Sequence, residues 1–396
     1  MIGGYTPAMD HIAPVLALAS LAAWIYLLAG RGGFWRCSEI LNSVDRAPTR
    51  WPNVVAVVPA RNEAQLIGDC LGALARQDYP GKFSVVAVDD NSDDDTAGAA
   101  RAGWWNGSQA GLHIVTGAPL AAGWTGKLWA MDQGVARAID IDPEAEFIWF
   151  TDADIAHDPD VLRRLVARAE TDEYDLVSTM VLLKCRGLWE QLLIPAFVFF
   201  FQKLYPFPWV NDPGHAMAAA AGGSMLVRRA ALQRIGGVAS IRNELIDDCA
   251  LARAVKQGGK VWLGLTDASH SLRDYATLGE IWAMVTRTAF HQLRYSVLLL
   301  MGTFLSMILI YLVPAGVILT WKLHEESWAL TFAVAAFLAM MIAYGPGLRL
   351  YGFGVARGIL LPLAALCYTA MTMDSARRHW LGRGGSWKSR IHAPTV

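Results

Sequence analysis

The chain has 396 residues, of which 54% are hydrophobic and only 17% are charged, and its mean hydropathy is +0.31. Because soluble domains carry about 25% charged residues, this composition excludes a disordered or fibrous protein and argues against an ordinary soluble enzyme. The formal net charge of -1 provides no basic field of the kind that nucleic-acid binding requires, so we expect no nucleic-acid partner. The five cysteines include no CxxC pair, and neither a disulfide framework nor a zinc site is predicted.

The hydrophobic residues are concentrated in uncharged blocks at residues 12–30, 297–320, 328–348 and 358–373. A membrane-spanning helix needs about 17 to 25 apolar residues, so the first three blocks are predicted to span a membrane and the fourth is short. Basic residues follow the first block instead of preceding it, which predicts a retained anchor within residues 1–44 and not a cleaved signal peptide. Arg31 and Arg36 lie beside the polar region that follows, so the positive-inside rule places that region in the cytoplasm.

The C-terminal helical region, residues 296–375, and the basic tail, residues 376–396, give conflicting signals about topology. Four complete crossings would leave the tail outside, whereas its basic residues favour the cytoplasmic side. We therefore predict that one C-terminal block, the short one at 358–373, enters and leaves by the same face or lies in the membrane interface.

A further segment, residues 188–210, is rich in aromatic residues. It is interrupted by Pro195, Pro206 and Pro208, and it contains Glu190 and Lys203. Apolar, aromatic and charged side chains in one segment are typical of a helix that lies in the plane of the membrane interface. The alternative is a buried hydrophobic helix of the polar domain.

The polar region, residues 45–295, is long enough for one α/β domain with its own core. Apolar runs at 54–58, 83–88 and 146–150 are typical of parallel strands covered on both faces, and each run ends in polar or acidic residues. Ligands of open α/β sheets bind outside the carboxyl ends of the strands, so the acidic clusters are predicted to converge on one crevice. No GxGxxG follows the first run and the sequence has no P-loop motif, which argues against a nicotinamide or P-loop site.

Two pairs of carboxylates carry the chemical prediction. Asp152 and Asp154 are two residues apart, so in an extended segment both face the same side, where they can hold Mg²⁺ or Mn²⁺ against a diphosphate. A solvated turn is the alternative for this D-A-D sequence. Asp247 and Asp248 precede a helical pattern, and they either cap that helix or provide a general base.

The ordered series of motifs resembles family 2 glycosyltransferases of the GT-A fold over roughly residues 50–295. The flanking apolar blocks, the segment 291–295 and the basic tail look closest to the bacterial hopene-associated glycosyltransferases, which are related to ceramide glucosyltransferase. The motifs that carry the resemblance are Pro59-Ala-Arg-Asn-Glu63, Asp89-Asp-Asn-Ser92, Gly126-Lys127-Leu128, Asp152-Ala-Asp154, Gly222-Gly223-Ser224 and Asp247-Asp-Cys-Ala-Leu251.

The resemblance implies an α/β architecture: a Rossmann-like GT-A domain between an N-terminal transmembrane anchor and a C-terminal transmembrane helical region. It also implies a multi-pass protein of the bacterial inner membrane whose catalytic domain faces the cytoplasm.

The resemblance further implies a role for each motif residue. Asp248 is expected to be the base, but the family has Glu-Asp at this pair, and Asp247 in the first position leaves open which carboxylate acts. Asp154 is expected to hold the metal and Asp152 the ribose or the metal, while Gly222 and Gly223 let the backbone approach the sugar and the acceptor. The residues expected to bind the nucleotide or its diphosphate are Pro59, Ala60, Arg61, Glu63, Asp90, Lys127, Asp152 and Arg294.

The segment 291–295 departs from the Gln-x-x-Arg-Trp pattern that membrane-linked members of the family often carry. Arg294 is retained and suits a diphosphate, because its guanidinium is planar and permanently charged. His291 and Tyr295 stand in place of Gln and Trp; they are expected at the substrate, and they weaken the case for processive chain synthesis. His270 could add a metal ligand, although a lone histidine is more often structural.

These observations predict an inverting, metal-dependent glycosyltransferase that moves a sugar from a nucleotide-diphosphate donor to a hydroxyl of a membrane lipid. A hopanoid acceptor is implied by the resemblance only. One alternative is a catalytically silent membrane protein that binds a nucleotide sugar or a lipid. Another is a glycosyltransferase that acts on polyprenyl phosphate or a growing polysaccharide, although three or four spans are few for a translocation channel.

Overall fold

The computed structural model describes residues 12–42, 47–105 and 107–382, together with the backbone of residues 386–387 and 390–391. The chain divides into two compact units. The sheet unit contains Ser38–Lys184 and Phe207–Asp274, and the helical unit contains residues 12–37, Cys185–Pro206 and residues 275–382. The sheet unit begins at Ser38 and not at residue 45, and it lacks the segments 185–206 and 275–295 of the predicted catalytic domain, which group with the apolar helices.

The chain alternates strands and helices in its first half and is mainly helical in its second. The strands are β1 Val54–Ala60, β2 Phe83–Asp89, β3 Gly111–Thr116, β4 Phe147–Thr151, β5 Ile155–His157, β6 Leu176–Leu182, β7 Ser224–Arg228, β8 Val261–Ser271, β9 Ser386–Trp387 and β10 Arg390–Ile391. The helices are α1 Ile12–Ala29, α2 Ile67–Ala75, α3 Thr96–Gly103, α4 Gly126–Ile141, α5 Val161–Thr171, α6 Leu188–Leu204, α7 Phe207–Asn211, α8 Arg229–Arg234, α9 Asp247–Lys256, α10 Leu278–Thr286, α11 Ala289–Gln292, α12 Val297–Met307, α13 Val313–Leu319, α14 Trp321–His324, α15 Ser327–Leu350 and α16 Leu361–Trp380.

Strands β1 to β8 form one mixed sheet in the order β3-β2-β1-β4-β7-β6-β8-β5. β1 pairs in parallel with β2 and β4, and β2 pairs in parallel with β3, so the three apolar runs are confirmed as parallel strands. β7 runs antiparallel between β4 and β6, β6 and β8 are parallel, and the short β5 pairs antiparallel with β8. The α/β prediction is confirmed.

The packing of the sheet unit follows from its sequence. β1 is rich in valine and buried along its whole length, as expected for a central strand covered on both faces. α4 packs against β1 and β2, and Gly134 permits this approach because a Cβ atom there would lie 2.3 Å from Cγ1 of Val57. In the strand registers Ala60 lies opposite Asp89, and Thr151 lies opposite Ser224. The residues that follow β1, β2 and β4, and those that precede β7, therefore share one edge of the sheet.

Within the described residues, four helices are long and apolar enough to cross a membrane: Ile12–Ala29, Val297–Leu319, Ser327–Leu350 and Val355–Trp380. The first three coincide with predicted blocks. The fourth helix has 26 residues and extends beyond the short uncharged block 358–373 at both ends. A 3-10 segment, Val355–Leu360, precedes α16, and α16 continues past the uncharged block through Asp374, Arg377 and Arg378. The number of crossings and the side of the tail stay predictions.

α6 contains most of the segment that was predicted to lie in the membrane interface. Leu193, Ala196 and Phe199 of α6 pack into the same hydrophobic core as Trp24 of α1 and Tyr311. α6 is therefore grouped with the apolar helices and not with the sheet, whereas the end of the predicted segment forms α7 in the sheet unit. The orientation of α6 in a membrane stays a prediction.

Candidate active site

Arg61 ties together the turns that follow β1 and β2. Its guanidinium donates hydrogen bonds to the carbonyl oxygens of Asp90 and Asn91, at 2.5 Å and 2.8 Å. The backbone N–H of Asp90 donates to the carbonyl of Ala60 at 2.8 Å, and Pro59 and Ala60 are buried in β1. The structure thus brings these predicted nucleotide-site residues to one corner of the sheet edge, where Arg61 holds the two turns together.

Lys127 links the acidic end of β4 to the start of α9. Its Nζ atom lies 2.9 Å from Oδ1 of Asp152 and 3.1 Å from Oδ2 of Asp247. Thr125 caps α4 by accepting a hydrogen bond from the N–H of Leu128, so the lysine projects from the first turn of a defined helix. Burial lowers the pKa of Lys127, but the two carboxylates outweigh burial and raise the pKa overall, so the ammonium stays charged.

Asp248 lies at the start of α9 and is held by backbone amides. The N–H of Gly222 donates to its Oδ2 at 2.9 Å, and the N–H of Cys249 donates to its Oδ1 at 2.7 Å. Burial and then repulsion from Asp247 raise the pKa of Asp248 to about 6, against the opposing effects of Lys127 and the two amides. A carboxylate with this pKa is ionised at neutral pH and basic enough to accept a proton.

The two neighbouring carboxylates therefore have different surroundings. Asp247 pairs with Lys127, whereas Asp248 contacts the turn that precedes β7. Glycine at position 222 keeps this contact short, because a Cβ atom there would lie 3.3 Å from Nζ of Lys127 and 3.4 Å from Oδ2 of Asp248. This difference favours Asp248 over Asp247 as the proton acceptor.

Arg273 joins two motifs that are far apart in sequence. Its Nε donates to Oδ2 of Asp154 at 2.7 Å, and its Nη2 donates to both carboxylate oxygens of Glu63, at 2.7 Å and 2.9 Å. Sequence reasoning missed this arginine. The partners lie 119 and 210 residues away, so no local pattern around Arg273 indicates them. The one feature of the sequence that could have indicated Arg273 is its position just after the strand β8.

His157, the last residue of β5, supports the turn that precedes β7 through Thr151. Its Nε2 lies 2.8 Å from Oγ1 of Thr151, its Nδ1 lies 2.8 Å from Oγ of Ser269, and Thr151 donates to the carbonyl of Gly223 at 3.0 Å. Burial, with a smaller contribution from His270, lowers the pKa of His157 to about 3, so the ring is neutral near pH 7. This hydrogen-bonded chain, which sequence reasoning also missed, fixes the turn whose Gly222 contacts Asp248.

The three predicted site residues of the 291–295 segment belong to the helical unit, whereas the acidic residues belong to the sheet unit. Nδ1 of His291 lies 2.9 Å from the hydroxyl oxygen of Tyr295. The Tyr295 ring stacks on that of His379, with centroids 4.2 Å apart. Arg294 is exposed and has a left-handed backbone, with φ at 51°.

The donor chemistry at the end of β4 fits a divalent cation that shares its coordination with a diphosphate. Asp152 and Asp154 offer carboxylate oxygens, which Mg²⁺ and Mn²⁺ take together with phosphate oxygens. Among residues 12–42, 47–105 and 107–382, no group of three or more His, Cys, Asp or Glu side chains is arranged so that it could hold a metal ion by itself, and His270 is exposed on β8. Each of the two carboxylates is also paired with a cation of the chain, Asp152 with Lys127 and Asp154 with Arg273.

The mixed sheet, its acidic edge and the glycine turn beside Asp248 define a GT-A fold of the nucleotide-diphospho-sugar transferase class. The sequence matches the family described as "Glycosyltransferase like family 2" over residues 52–307, which is more than half of the chain. The chain therefore belongs to this family.

Solved and curated proteins agree with this assignment. The structure of mannosyltransferase PcManGT from Pyrobaculum calidifontis, in complex with GDP-Man and Mn²⁺, is similar with a TM-score of 0.52 and 22% identity, covering 96% of this chain and 100% of that one, which supports the fold. An N-acetylglucosaminyltransferase of Mesorhizobium japonicum is 49% identical over 43 residues, which are 11% of this chain and 10% of the relative. Another from Bradyrhizobium elkanii is 39% identical over 56 residues, 14% of this chain and 31% of the relative. The chain thus covers less than a third of either curated relative.

Proposed function

We propose that this chain is an inverting glycosyltransferase that moves a sugar from a nucleoside diphosphate to a hydroxyl group of a membrane lipid. The observation that carries this proposal is Asp248, whose pKa is about 6 and whose Oδ2 accepts the N–H of Gly222, at the sheet edge where Asp152 and Asp154 follow β4. Family membership and the four apolar helices of spanning length support it.

Asp248 acts as the general base. As the acceptor oxygen attacks the anomeric carbon, its proton moves to a carboxylate oxygen of Asp248. The bond between the anomeric carbon and the phosphate oxygen breaks, and the nucleoside diphosphate leaves with the bonding electrons. Because this is one in-line displacement, the anomeric configuration inverts. The base has to be ionised beforehand, so transfer falls as the pH drops through the pKa of Asp248.

The leaving diphosphate needs positive charge. Lys127 provides a permanent ammonium at the edge of the sheet, positioned by Asp152 and Asp247. Asp152 and Asp154 are the residues that would hold Mg²⁺ or Mn²⁺, and such an ion, when bound, stabilises the negative charge on the leaving oxygen. Arg294 of the helical unit, exposed and permanently charged, is a further diphosphate ligand in this proposal.

We assign the binding site of the nucleotide donor to the motif residues at the edge of the sheet. Pro59, Ala60, Arg61 and Glu63 frame the nucleotide in this proposal, and Asp90 contacts the base. The bracing hydrogen bonds from Arg61 to the turn after β2 support this, because they keep the two turns in a fixed arrangement. Gly222 and Gly223 form the backbone that approaches the sugar and the acceptor in this proposal, and His291 and Tyr295 are further substrate-binding residues.

The substrates and location are proposed on separate grounds. N-acetylglucosamine is the first sugar to test, because both curated relatives carry that name. The resemblance to hopene-associated enzymes suggests a hopanoid acceptor. The apolar helices support a multi-pass protein of the bacterial inner membrane, and Arg31 and Arg36 place residues 45–295 on the cytoplasmic side in this proposal.

A donor panel tests this function. Membranes containing the full chain are incubated with radiolabelled UDP-N-acetylglucosamine and other nucleotide sugars, with Mn²⁺ or Mg²⁺ or with EDTA. We expect a labelled lipid that EDTA abolishes and that Asp154→Ala reduces by at least about 100-fold. The matched control is Asp172→Asn. The carboxylate of Asp172 pairs with Arg168 at the end of α5. It precedes the start of β6 and therefore lies at the opposite edge of the sheet from Asp154.

Other outcomes of the panel decide between the alternatives. Nucleotide binding without any labelled product would contradict the proposal and favour a silent binding protein. Label in a polyprenyl phosphate, or in material that grows by repeated addition, would keep the enzyme and overturn the lipid-hydroxyl acceptor.

A further inference from the structure

We propose that Arg273 compensates the charge of the metal site when no nucleotide is bound, so that divalent cation and nucleoside diphosphate bind this chain cooperatively and the cation alone binds weakly. This inference rests on the proposed function and names a residue that tunes its metal site. In this account Arg273 is paired with Asp154 and Glu63 until a nucleoside diphosphate binds.

The contacts of Arg273 carry the first step. The guanidinium makes three short hydrogen bonds, one to Asp154 and two to Glu63. The side chain of Glu63 is 11% exposed and that of Asp154 is 17% exposed. Charge-assisted hydrogen bonds from a planar guanidinium to carboxylates with so little solvent contact are among the stronger polar interactions in proteins. A cation that takes Asp154 as a ligand has to compete with this arrangement.

The second step concerns the charge of the whole edge. Asp152 and Asp247 share Lys127, just as Asp154 and Glu63 share Arg273. Both carboxylates that would ligate a metal are therefore already paired with a positive charge of the chain. A divalent ion that arrives alone meets these two cations at short range, and their repulsion lowers its affinity.

A nucleoside diphosphate changes this balance. Its phosphate oxygens give Arg273 and Lys127 an anionic partner, and they also supply ligands that complete the coordination of the divalent ion. The diphosphate then reduces the repulsion between the divalent ion and the two cations of the chain. The divalent ion in turn reduces the repulsion between the diphosphate and the carboxylates. Because coupling between two ligands is reciprocal, the nucleotide must bind more tightly with the cation by the same factor.

The test measures Mn²⁺ binding directly. The full chain is purified in detergent, and free Mn²⁺ is followed by electron paramagnetic resonance during titration, with and without UDP and, in a parallel series, GDP. Arg273→Gln leaves Asp154 and Glu63 without their guanidinium, so we expect Mn²⁺ alone to bind at least about tenfold more tightly than to wild type. We also expect the gain in Mn²⁺ affinity caused by the nucleotide to shrink by a similar factor. Protein-free titrations of UDP and GDP with Mn²⁺ measure the complexes that form in solution, and these are accounted for when the protein affinities are calculated.

Arg228→Gln is the matched control. Arg228 also bridges two carboxylates of the sheet unit, Glu170 at 2.8 Å and Asp175 at 3.7 Å. It lies opposite Phe147, at the amino end of β4, and thus at the other edge of the sheet from Asp154. We expect its Mn²⁺ affinity to match that of wild type. Thermal unfolding gives a second readout, because Mn²⁺ alone should raise the melting temperature of Arg273→Gln more than that of either other protein.

The outcomes separate this inference from the proposed function. Equal Mn²⁺ affinity in wild type and folded Arg273→Gln would overturn the role of Arg273 while leaving the transferase intact. If Arg273→Gln does not fold, the wild-type protein alone tests the inference. A wild-type Mn²⁺ affinity that the nucleotide does not change would contradict the proposed coupling between cation and nucleotide. A wild-type chain that binds neither UDP nor GDP, with or without Mn²⁺, would overturn the proposed function itself.

Discussion

The two units of this protein use their polar residues in different ways. At the edge of the sheet unit, Lys127 and Arg273 each bridge two carboxylates, so charges of both signs lie close together. In the helical unit, the polar groups of the 291–295 segment contact aromatic rings, and Tyr295 stacks on His379 of α16. Paired charges can be reorganised by a charged ligand, whereas stacked rings hold a short segment on a helix. We therefore expect substitutions at the sheet edge to change chemistry, and substitutions of residues that only support the 291–295 segment, such as His379, to change mainly stability.

The largest expected effect is on Asp248. Asp248→Asn keeps the shape of the side chain and removes the base, so transfer should fall about 1,000-fold at pH 7.5. Nucleotide binding should stay close to wild type, because the contacts of Asp248 are with the backbone of Gly222 and Cys249. Turnover is compared with that of Asp172→Asn. Turnover within threefold of wild type would remove Asp248 from the mechanism.

The next effect concerns Lys127. Lys127→Met keeps the length of the side chain but removes the charge between Asp152 and Asp247, so kcat/KM should fall about 100-fold. Lys127 lowers the pKa of Asp248, so its loss should move the acid limb of the pH profile above its wild-type position near 6. The control is Lys82→Met, since Lys82 is exposed and pairs with Asp142. An acid limb that stays in place would contradict the electrostatic link to Asp248.

His157 should affect stability more than chemistry. His157→Ala breaks the contacts with Thr151 and Ser269 in a buried position, so we expect the free energy of unfolding to fall by about 2–4 kcal/mol. Transfer should fall about tenfold through kcat with little change in KM, because the turn at Gly223 loses its support. His157→Gln, which can still hydrogen-bond, should recover part of both losses. Unchanged kcat in a destabilised His157→Ala would limit this histidine to a structural role.

The same histidine predicts a pH dependence of stability. Burial holds the folded pKa of His157 near 3, well below the unfolded value of about 6.5. The unfolded chain therefore binds a proton that the folded chain excludes, so this contribution to stability is complete above pH 6.5 and is lost as the pH falls toward 3. Thermal melts across this range should decline less steeply for His157→Ala. If the melting temperatures of wild type and His157→Ala fall equally with pH, His157 is not the source of this pH dependence.

The smallest effect is expected in the helical unit. His379→Ala removes the ring on which Tyr295 stacks, at a cost of about 1 kcal/mol in the free energy of unfolding. Transfer should stay within about twofold of wild type, since His379 is not a proposed site residue and Tyr295 keeps its contact with His291. A loss of transfer above tenfold without a change in melting temperature would show that the contrast between the two units is wrong.

Much of the sheet edge could be predicted because its signals are local. The apolar runs that became β1, β2 and β4 are followed at once by polar or acidic residues, so strand and site could be predicted from adjacent positions. Arg273 and His157, which also organise the site, have no such local signal. Arg273 lies 210 residues from Glu63, and Ser269 lies 112 residues from its partner His157. The pairing of β5 with β8 places Ser269 opposite His157, and Arg273 follows β8 two residues after its last residue.

The helices show a similar limit. An uncharged block reports where a helix is apolar but not where the helix ends, so α16 extends beyond the predicted block through Asp374 and two arginines. The grouping of α6 with α1 and Tyr311 depends on packing between segments that are distant in sequence. Periodicity and composition describe one segment at a time and cannot choose its neighbours.

The anomeric configuration of the lipid product tests the central claim most directly. That claim is that Asp248 deprotonates an acceptor hydroxyl during one in-line displacement at the sheet edge. The product made from a donor with an α-linked sugar is isolated, and proton NMR of its anomeric signal gives the linkage. The account predicts a β-linked product from wild type. An α-linked product would contradict it, because retention requires either a second displacement or a different geometry of attack.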